Sequence, residues 1–476
     1  MNPSVWRDDF IRVLLADARA KLAHNNIESM RLACHYGRTN VVRLLLADSR
    51  VSPADRNNEA MRMACANGHT DIVRLLLADS RVSPTDKNNE AMRMACANGH
   101  TDIVRLLLAD SRVNPADRNN NAIRWACANG HADIVRLLLA DSRVDPADKN
   151  NFAIQYACAN GHADIVRLLL ADSRVNPADG KKAIRRACYY GHTNVVRLLL
   201  ADNRVDPADD NNAALELACG SGHTDIVRLL LADPRVNPAD GNNKAMQSVC
   251  VFGQFNALCL LLGDSRVNPA DEDNLPIRIA CAHGHVNLVR LLLTDERVNP
   301  ADKCNSAICW ACKNGHVDVV RLLLTDPRVN PTDYNNYAIR SACVDDHFDV
   351  ICLLLMDHRM DISHLVSTFP DIVKKCIGNQ SICALFALAG IEPFCSKWGT
   401  CGMLDTKLYN LDMLRYWQKT RYINLHRHAE ELRNGPYGVL LKHRLEVANL
   451  YGSVVLKSQL PLDMIELVLE YIKCCI

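Results

Sequence analysis

The sequence predicts an all-α solenoid: about eleven helix–turn–helix units with caps, followed by a small helical C-terminal domain. Three observations predict it. The line "ACANGHADIVRLLLADSRV" at Ala126–Val144 recurs in register every 31 residues, with one step of 30. Apolar residues in each line fall twice at helical spacing, on either side of an Asn-Gly-His break. Each line then closes on a short Pro-containing crossing such as "SRVDPAD" before the next begins.

The elements follow in chain order. "DDFIRVLLADAR" (Asp8 to Arg19) matches the second half of a unit, so residues 1–25 read as an N-terminal capping half. Residues 26–360 hold eleven units. In the unit around Trp125, Asn119 or Asn120 is expected to cap the first helix. Ala122, Ile123, Ala126 and Cys127 form one apolar stripe of small residues that lets helix axes approach. Gly130 suits the left-handed position that ends this helix. The second helix starts near Ala132-Asp133, where a carboxylate favours the positive helix end. Ile134, Val135, Leu137, Leu138 and Leu139 make its apolar face, and Arg136 points off it. The helix fades at Asp141, and Pro146 pushes Asp145 toward extended geometry. Trp125, Tyr156 and Trp310 occupy a slot expected to face the next unit and so to be core. One unit cannot cover its own apolar faces; eleven stacked units would make a curved rod on the order of 110 Å long.

Composition bounds the function. The chain has 476 residues, too many for one ordinary core, with 49% hydrophobic, 23% charged and 5% aromatic residues. Lys plus Arg is 55 and Asp plus Glu is 54, which gives no electrostatic reason to expect nucleic acid or an anionic membrane as partner. "MNPSVWRDDFIRVLL" carries charges where a signal peptide needs an apolar stretch, and no apolar run reaches the ~18–20 residues of a membrane span. A soluble, monomeric, intracellular protein is expected, in the cytoplasm with the nucleus also open to it.

Eleven of the 21 cysteines sit at one position of the line, from Cys34 through Cys343. Equivalent residues of stacked units lie ~8–10 Å apart, whereas a disulfide needs Cα atoms within ~7 Å, so these thiols are expected to be buried and reduced. Nine histidines form a second column, from His69 to His347. Zinc needs four ligands at ~2–2.3 Å from one point, which a column with that spacing cannot supply. Cys304, Cys309 and Cys312 crowd one unit, but no second half of a metal site follows. The Asp and Arg columns (Asp79/Arg81, Asp110/Arg112, Asp141/Arg143) read as solvated charge ladders, each pair worth ~0–1 kcal/mol. There is no phosphate loop and no nucleophile elbow. No metal, no cofactor and no enzymatic activity are expected.

The recurring "A-C-x-x-G-H-x-D-I-V-R-L-L-L" line resembles the ankyrin repeat over about 335 residues. The usual T-P-L-H stretch is mostly replaced by Asn-x-Ala-Ile-Arg, and only Leu275-Pro276-Ile277-Arg278 keeps the proline, at a position suited to the start of a helix. The "DSRVNPAD" flavour is similar to repeats of large DNA viruses and some protists, which would place a viral copy in the host cell. The resemblance implies that the histidines tie neighbouring loops by hydrogen bonds. It also implies protein binding through the loop fingers and the exposed end of the first helix, on the concave side. Partner choice then rests on positions that vary between units. Aromatics are favoured contacts, so the candidates are Phe152, Tyr189, Tyr190, Phe252, Tyr334 and Tyr337. The eighth unit, "VFGQFNALCLLLGDSRV", loses His and Arg and gains Gly263; with the short step before Lys181-Lys182 it is a candidate bend or docking point.

Residues 361–398 read as a worn unit or C-terminal cap, and 399–476 as a helical domain. Its last stretch, "LPLDMIELVLEYI", has Pro461 at a helix start, Asp463 in the first turn and one apolar face. Segment 460–472 resembles the opening of an F-box, as in poxvirus ankyrin proteins. That implies binding to the linker subunit of a cullin-type ubiquitin ligase through Leu460, Pro461, Met464, Ile465, Val468 and Leu469. A last helix packed on its own domain would have the same pattern. The expected function is a non-enzymatic protein-interaction scaffold, or, more specifically, a substrate-recruiting ligase adaptor.

Overall fold

The computed structural model describes residues 23–179, 182–355, 357, 359–360 and 368. The capping half at Asp8–Arg19 and, apart from Thr368, the stretches 361–398 and 399–476 lie outside the described residues. Among the described residues there are 22 α-helices and no strand. They run in pairs, from Ala23–His35 with Thr39–Ala47 to Asp333–Val344 with Phe348–Leu355. The chain divides into two compact units after Asn268. Eight pairs belong to the first unit and three to the second.

The fourth pair, Asp117–Asn129 with Ala132–Leu139, shows why the line folds this way. Its first helix buries Ala122, Ile123, Ala126 and Cys127; its second buries Ile134, Val135 and Leu138. Within each unit, first helices pack on first helices, second on second, and each first helix on its own partner. A fully covered Ile, Val or Leu contributes about 1.5–3 kcal/mol relative to an exposed one, and coverage here needs a neighbouring pair.

The turn before the first helix departs from expectation. Arg118, Asn119 and Asn120 take φ of 53°, 59° and 55°, three left-handed residues in succession. Among the described residues the same triplet recurs from Arg56–Asn58 to Tyr334–Asn336. Left-handed geometry costs an L-residue about 1–2 kcal/mol, least for Asn. Neither Asn119 nor Asn120 caps its own helix. Asn120 is buried, and its Nδ2 donates to Oδ2 of Asp148, in the next pair, at 2.8 Å. Its Oδ1 accepts from the backbone N–H of Asp145 at 2.8 Å. The left-handed backbone aims this side chain across the junction rather than down its own helix. Asn58, Asn151, Asn274 and Asn305 bridge in the same way. A second side chain steadies the turn from within its own helix: Arg62 donates to the carbonyls of Arg56 and Asn57, and Gln155 to that of Asn150.

The turn between paired helices carries the Gly-His word. Gly130 ends the first helix at φ 83°. Nε2 of His162, one pair on, donates to the carbonyl of Ala128 at 3.1 Å, and the ring lies against Gly130. His100, His131, His192 and His316 repeat the bond at 2.9–3.0 Å, so the column ties adjacent turns as the resemblance implied. Gln254 substitutes in the eighth pair, its Nε2 donating to the carbonyl of Gly220 at 3.3 Å.

The Asp and Arg columns are not ladders of charge between units. Arg143 makes a two-pronged pair with Asp141 of its own turn, at 2.9 and 2.6 Å. Its remaining N–H groups reach back to the carbonyls of Val113 at 2.8 Å and Leu108 at 3.3 Å. The planar guanidinium has enough donors to serve carboxylate and backbone together. The carboxylates respond: the Arg81 guanidinium holds Asp79 below the usual carboxylate range, and Arg50 brings Asp48 down to about 2.

The sixth pair is one residue short in sequence. Its first helix, Ala183–Tyr190, begins directly after Lys182, with no Asn in the bridging position. Pro276 of the ninth pair is buried in the first turn after the left-handed triplet Glu272–Asn274, where its missing N–H leaves no helix bond unmade.

Candidate partner-binding surface

The repeated bonds make a uniform frame, so chemistry that differs between pairs is carried by side chains projecting from it. Two of the sequence candidates stand in the Gly-His turn of the sixth pair. Tyr189 and Tyr190 are 51% and 56% exposed, with ring centroids 4.9 Å apart in an edge-to-face arrangement. The backbone carbonyl of Tyr189 accepts from His223, so frame and variable side chain share one residue. Phe252 occupies the equivalent turn of the eighth pair. It is 62% exposed and its ring rests over Gly220 of the seventh, where a Cβ would stand 3.2 Å from it.

The candidates in the left-handed turns divide. Tyr334 is 66% exposed as the first residue of the φ-positive triplet. Tyr337 is half-buried beside it, with ring centroids 5.6 Å apart. Phe152 is half-buried and meets Tyr156 edge-on at 5.9 Å. Phe152, Tyr156 and Arg186 are brought together, since the Arg186 guanidinium lies 5.7 Å over the Tyr156 ring. Tyr334 and Tyr337 form a separate pair in the second unit.

Trp125, Tyr156 and Trp310, expected in the core, are exposed instead, at 47%, 36% and 42%. The reason is angular. At about 100° per residue, Ala122, Ile123, Ala126 and Cys127 span one arc of the first helix, and position 125 falls outside it. Leu32 and Met94 hold the same slot in other first helices and are exposed as well. Tyr36, 61% exposed, was also missed; it holds the place of Tyr190 in the first pair, and aligning on Gly37 would have found it.

The cysteine column is buried. Burial pushes the Cys34 thiol up to about 12 and raises Cys65, Cys96 and Cys127 likewise, which removes the thiolate that nucleophilic chemistry requires. Cys309 and Cys312 are buried and Cys304 is exposed. Among the described residues no group of three or more His, Cys, Asp or Glu is placed to hold a metal ion. None of their helices is long and apolar enough to cross a membrane. The proposed ligase hook, Leu460 to Leu469, lies outside the described residues.

Models of the ankyrin-repeat family match the chain across this frame. The three-repeat model matches residues 6–88, 79–150, 143–211, 245–333 and 277–365, and the single-repeat model matches 210–243. No curated protein gives a significant match to the chain.

Proposed function

From the premise that the chain belongs to the ankyrin-repeat family, we propose that it is a non-enzymatic scaffold whose first-helix ends and loops hold a partner protein. The observation that carries this reading is the exposure of Tyr189, Tyr190, Phe252 and Tyr334 on a frame that is otherwise nearly identical from pair to pair. Ordinary repeat surfaces here present Ala and Asn at the same turn, as at Ala128 and Asn129. Aromatic side chains offer large contact area at low entropic cost, which is what a protein-binding surface uses. The balance of 55 basic against 54 acidic residues supports a protein partner over a polyanion for the chain as a whole. We place the protein inside the cell as a monomer, in keeping with the reduced, buried thiols.

A second reading rests on "LPLDMIELVLEYI" alone: the scaffold recruits substrates to a cullin-type ligase through its final helix. One experiment separates the two. Proteins are captured from a eukaryotic cell with the full chain, with a version ending at Ser458, and with the Tyr189→Ala/Tyr190→Ala/Phe252→Ala variant. Loss of specific proteins with the aromatic variant supports the scaffold. Ligase subunits present with the full chain and absent with the truncation support the adaptor. Identical captures from all three remove the role of these aromatics and of the last helix.

A further inference from the structure

The first-helix face of the third to fifth pairs combines a row of exposed cations with an apolar stripe. Met94, Trp125 and Tyr156 project from successive first helices, 37%, 47% and 36% exposed. Lys87, Arg118 and Lys149 stand exposed in the left-handed turns above them. Two more cations, Arg93 and Arg124, sit half-buried between the rows. The neighbouring carboxylates keep their charge but are half-buried and turned toward the preceding pairs. Glu90 pairs with Arg62 at 3.0 Å, Asp117 accepts from Asn89, and Asp148 accepts from Asn120. Burial, and Arg118 beside it, push Arg93 below the ordinary arginine range. The Nε–H of Arg124 is buried and has no hydrogen-bond partner among the described residues.

The charge is local. Two pairs further on, the turn position of Lys149 is held by Asp210, which faces Arg185 at 2.6 Å, and then by Gly241. The basic run therefore ends within the first unit, on a chain whose net charge is +1.

We infer that this face takes an extended acidic segment of a partner protein, with bulky apolar side chains interleaved among its carboxylates. The inference rests on the scaffold reading and names the partner's chemistry. Carboxylates would meet Lys87, Arg118 and Lys149, and apolar side chains the Met94–Trp125–Tyr156 stripe. With helix axes ~8–10 Å apart and ~3.3 Å per extended residue, three pairs accommodate about six residues. A nucleic acid fits less well. The stripe continues through Met63 to Leu32, which are not stacking planes for bases.

The test is selection of random dodecapeptides on the full-length chain at near-physiological salt. Selected peptides are then measured by fluorescence anisotropy against three full-length variants: Lys87→Glu/Arg118→Glu/Lys149→Glu, Trp125→Ala, and Tyr334→Ala as control. Glu suits these left-handed positions, since Glu272 holds the equivalent place at φ 50°. Trp125→Phe, together with a melting curve for every variant, separates lost binding from lost folding. The expected peptides are net negative with two or more bulky apolar residues. Charge reversal weakens them at least tenfold, Trp125→Ala several-fold, and Tyr334→Ala leaves them unchanged. Neutral or basic peptides, or binding indifferent to the charge reversal, overturn this inference and leave the scaffold reading standing. Tighter, charge-dependent binding of single-stranded oligo-dT reassigns the face to nucleic acid and also overturns it. Selection of no peptide at all, with captures from cells unchanged by the aromatic variant, brings down both.

Discussion

Gly130 and the imidazole of His162 share one space: an ideal Cβ on Gly130 would fall 2.7 Å from Cε1 of the histidine in the next pair. The glycine also sits at φ 83°, where an L side chain is strained. Gly130→Ala therefore meets two penalties, about 1–2 kcal/mol for the left-handed backbone and about 1 kcal/mol for displacing the ring from the Ala128 carbonyl. In a His162→Ala background only the first should remain. A double-mutant cycle by urea denaturation reads the difference, and strict additivity would mean that the ring yields without cost.

Asn120 offers a cleaner separation of backbone from side chain. Asn120→Ala strains the left-handed turn and leaves the Asp145 N–H and the Asp148 carboxylate without their partner. A loss of about 2–3 kcal/mol is expected. Asn120→Gly keeps the backbone conformation and loses only the bridge, so it should cost less. Hydrogen exchange at the junction of the fourth and fifth pairs checks where the loss falls. Equal losses for the two variants would mean that the backbone strain is negligible.

Arg143→Lys retains a positive charge but not the fork. The lysine can still face Asp141, yet cannot also serve the Val113 and Leu108 carbonyls, and the expected loss is about 1–2 kcal/mol. Arg136→Lys, on the outer face of the same pair and joined among the described residues to Asp133 at 2.8 Å, should fall within about 0.5 kcal/mol of the parent. A similar effect from both substitutions in thermal melts would reduce the column to ordinary surface charge.

The same column sets an acid limit. Asp79, Asp110, Asp141 and their equivalents are held low by their arginines. A carboxylate lower in the folded chain than in the unfolded one stabilises fully above the unfolded value of about 3.9 and loses that contribution as pH falls through the folded value. Melting temperature should therefore hold down to about pH 5 and drop below about pH 4, with less of a drop in Arg143→Gln. A decline that begins near neutrality, or one unchanged in Arg143→Gln, would place the sensitivity in other groups.

Position and partner were legible in the sequence to different degrees. The buried stripe at Ala122, Ile123, Ala126 and Cys127 and the stop at Gly130 were readable, because period and residue type point the same way there, while the tie made by His162 came from the family resemblance. Asn120 was not readable. Asn suits both a helix cap and a left-handed turn, and its choice between them depends on Asp148, which lies 28 residues on and across a junction. Arg143 was misread for a related reason: a two-residue Asp–Arg spacing says nothing about carbonyls contributed by the preceding pair. Trp125 was misplaced by taking its slot to face the next unit, although its angle on the helix already put it outside the buried arc.

The bridges between pairs all have nearly the same reach along the chain. Asn120 looks forward 28 residues, Arg143 back 30 and His162 back 34. A block of 31 residues that carries the Asn, the Arg and the His thus contains one donor and one acceptor for every bridge. Removing or duplicating such a block in register brings new neighbours together with the same complementary ends. Near-identical stretches also favour unequal recombination. The number of units is then free to drift by whole steps between related chains, while the outward residues of each copy diverge on their own.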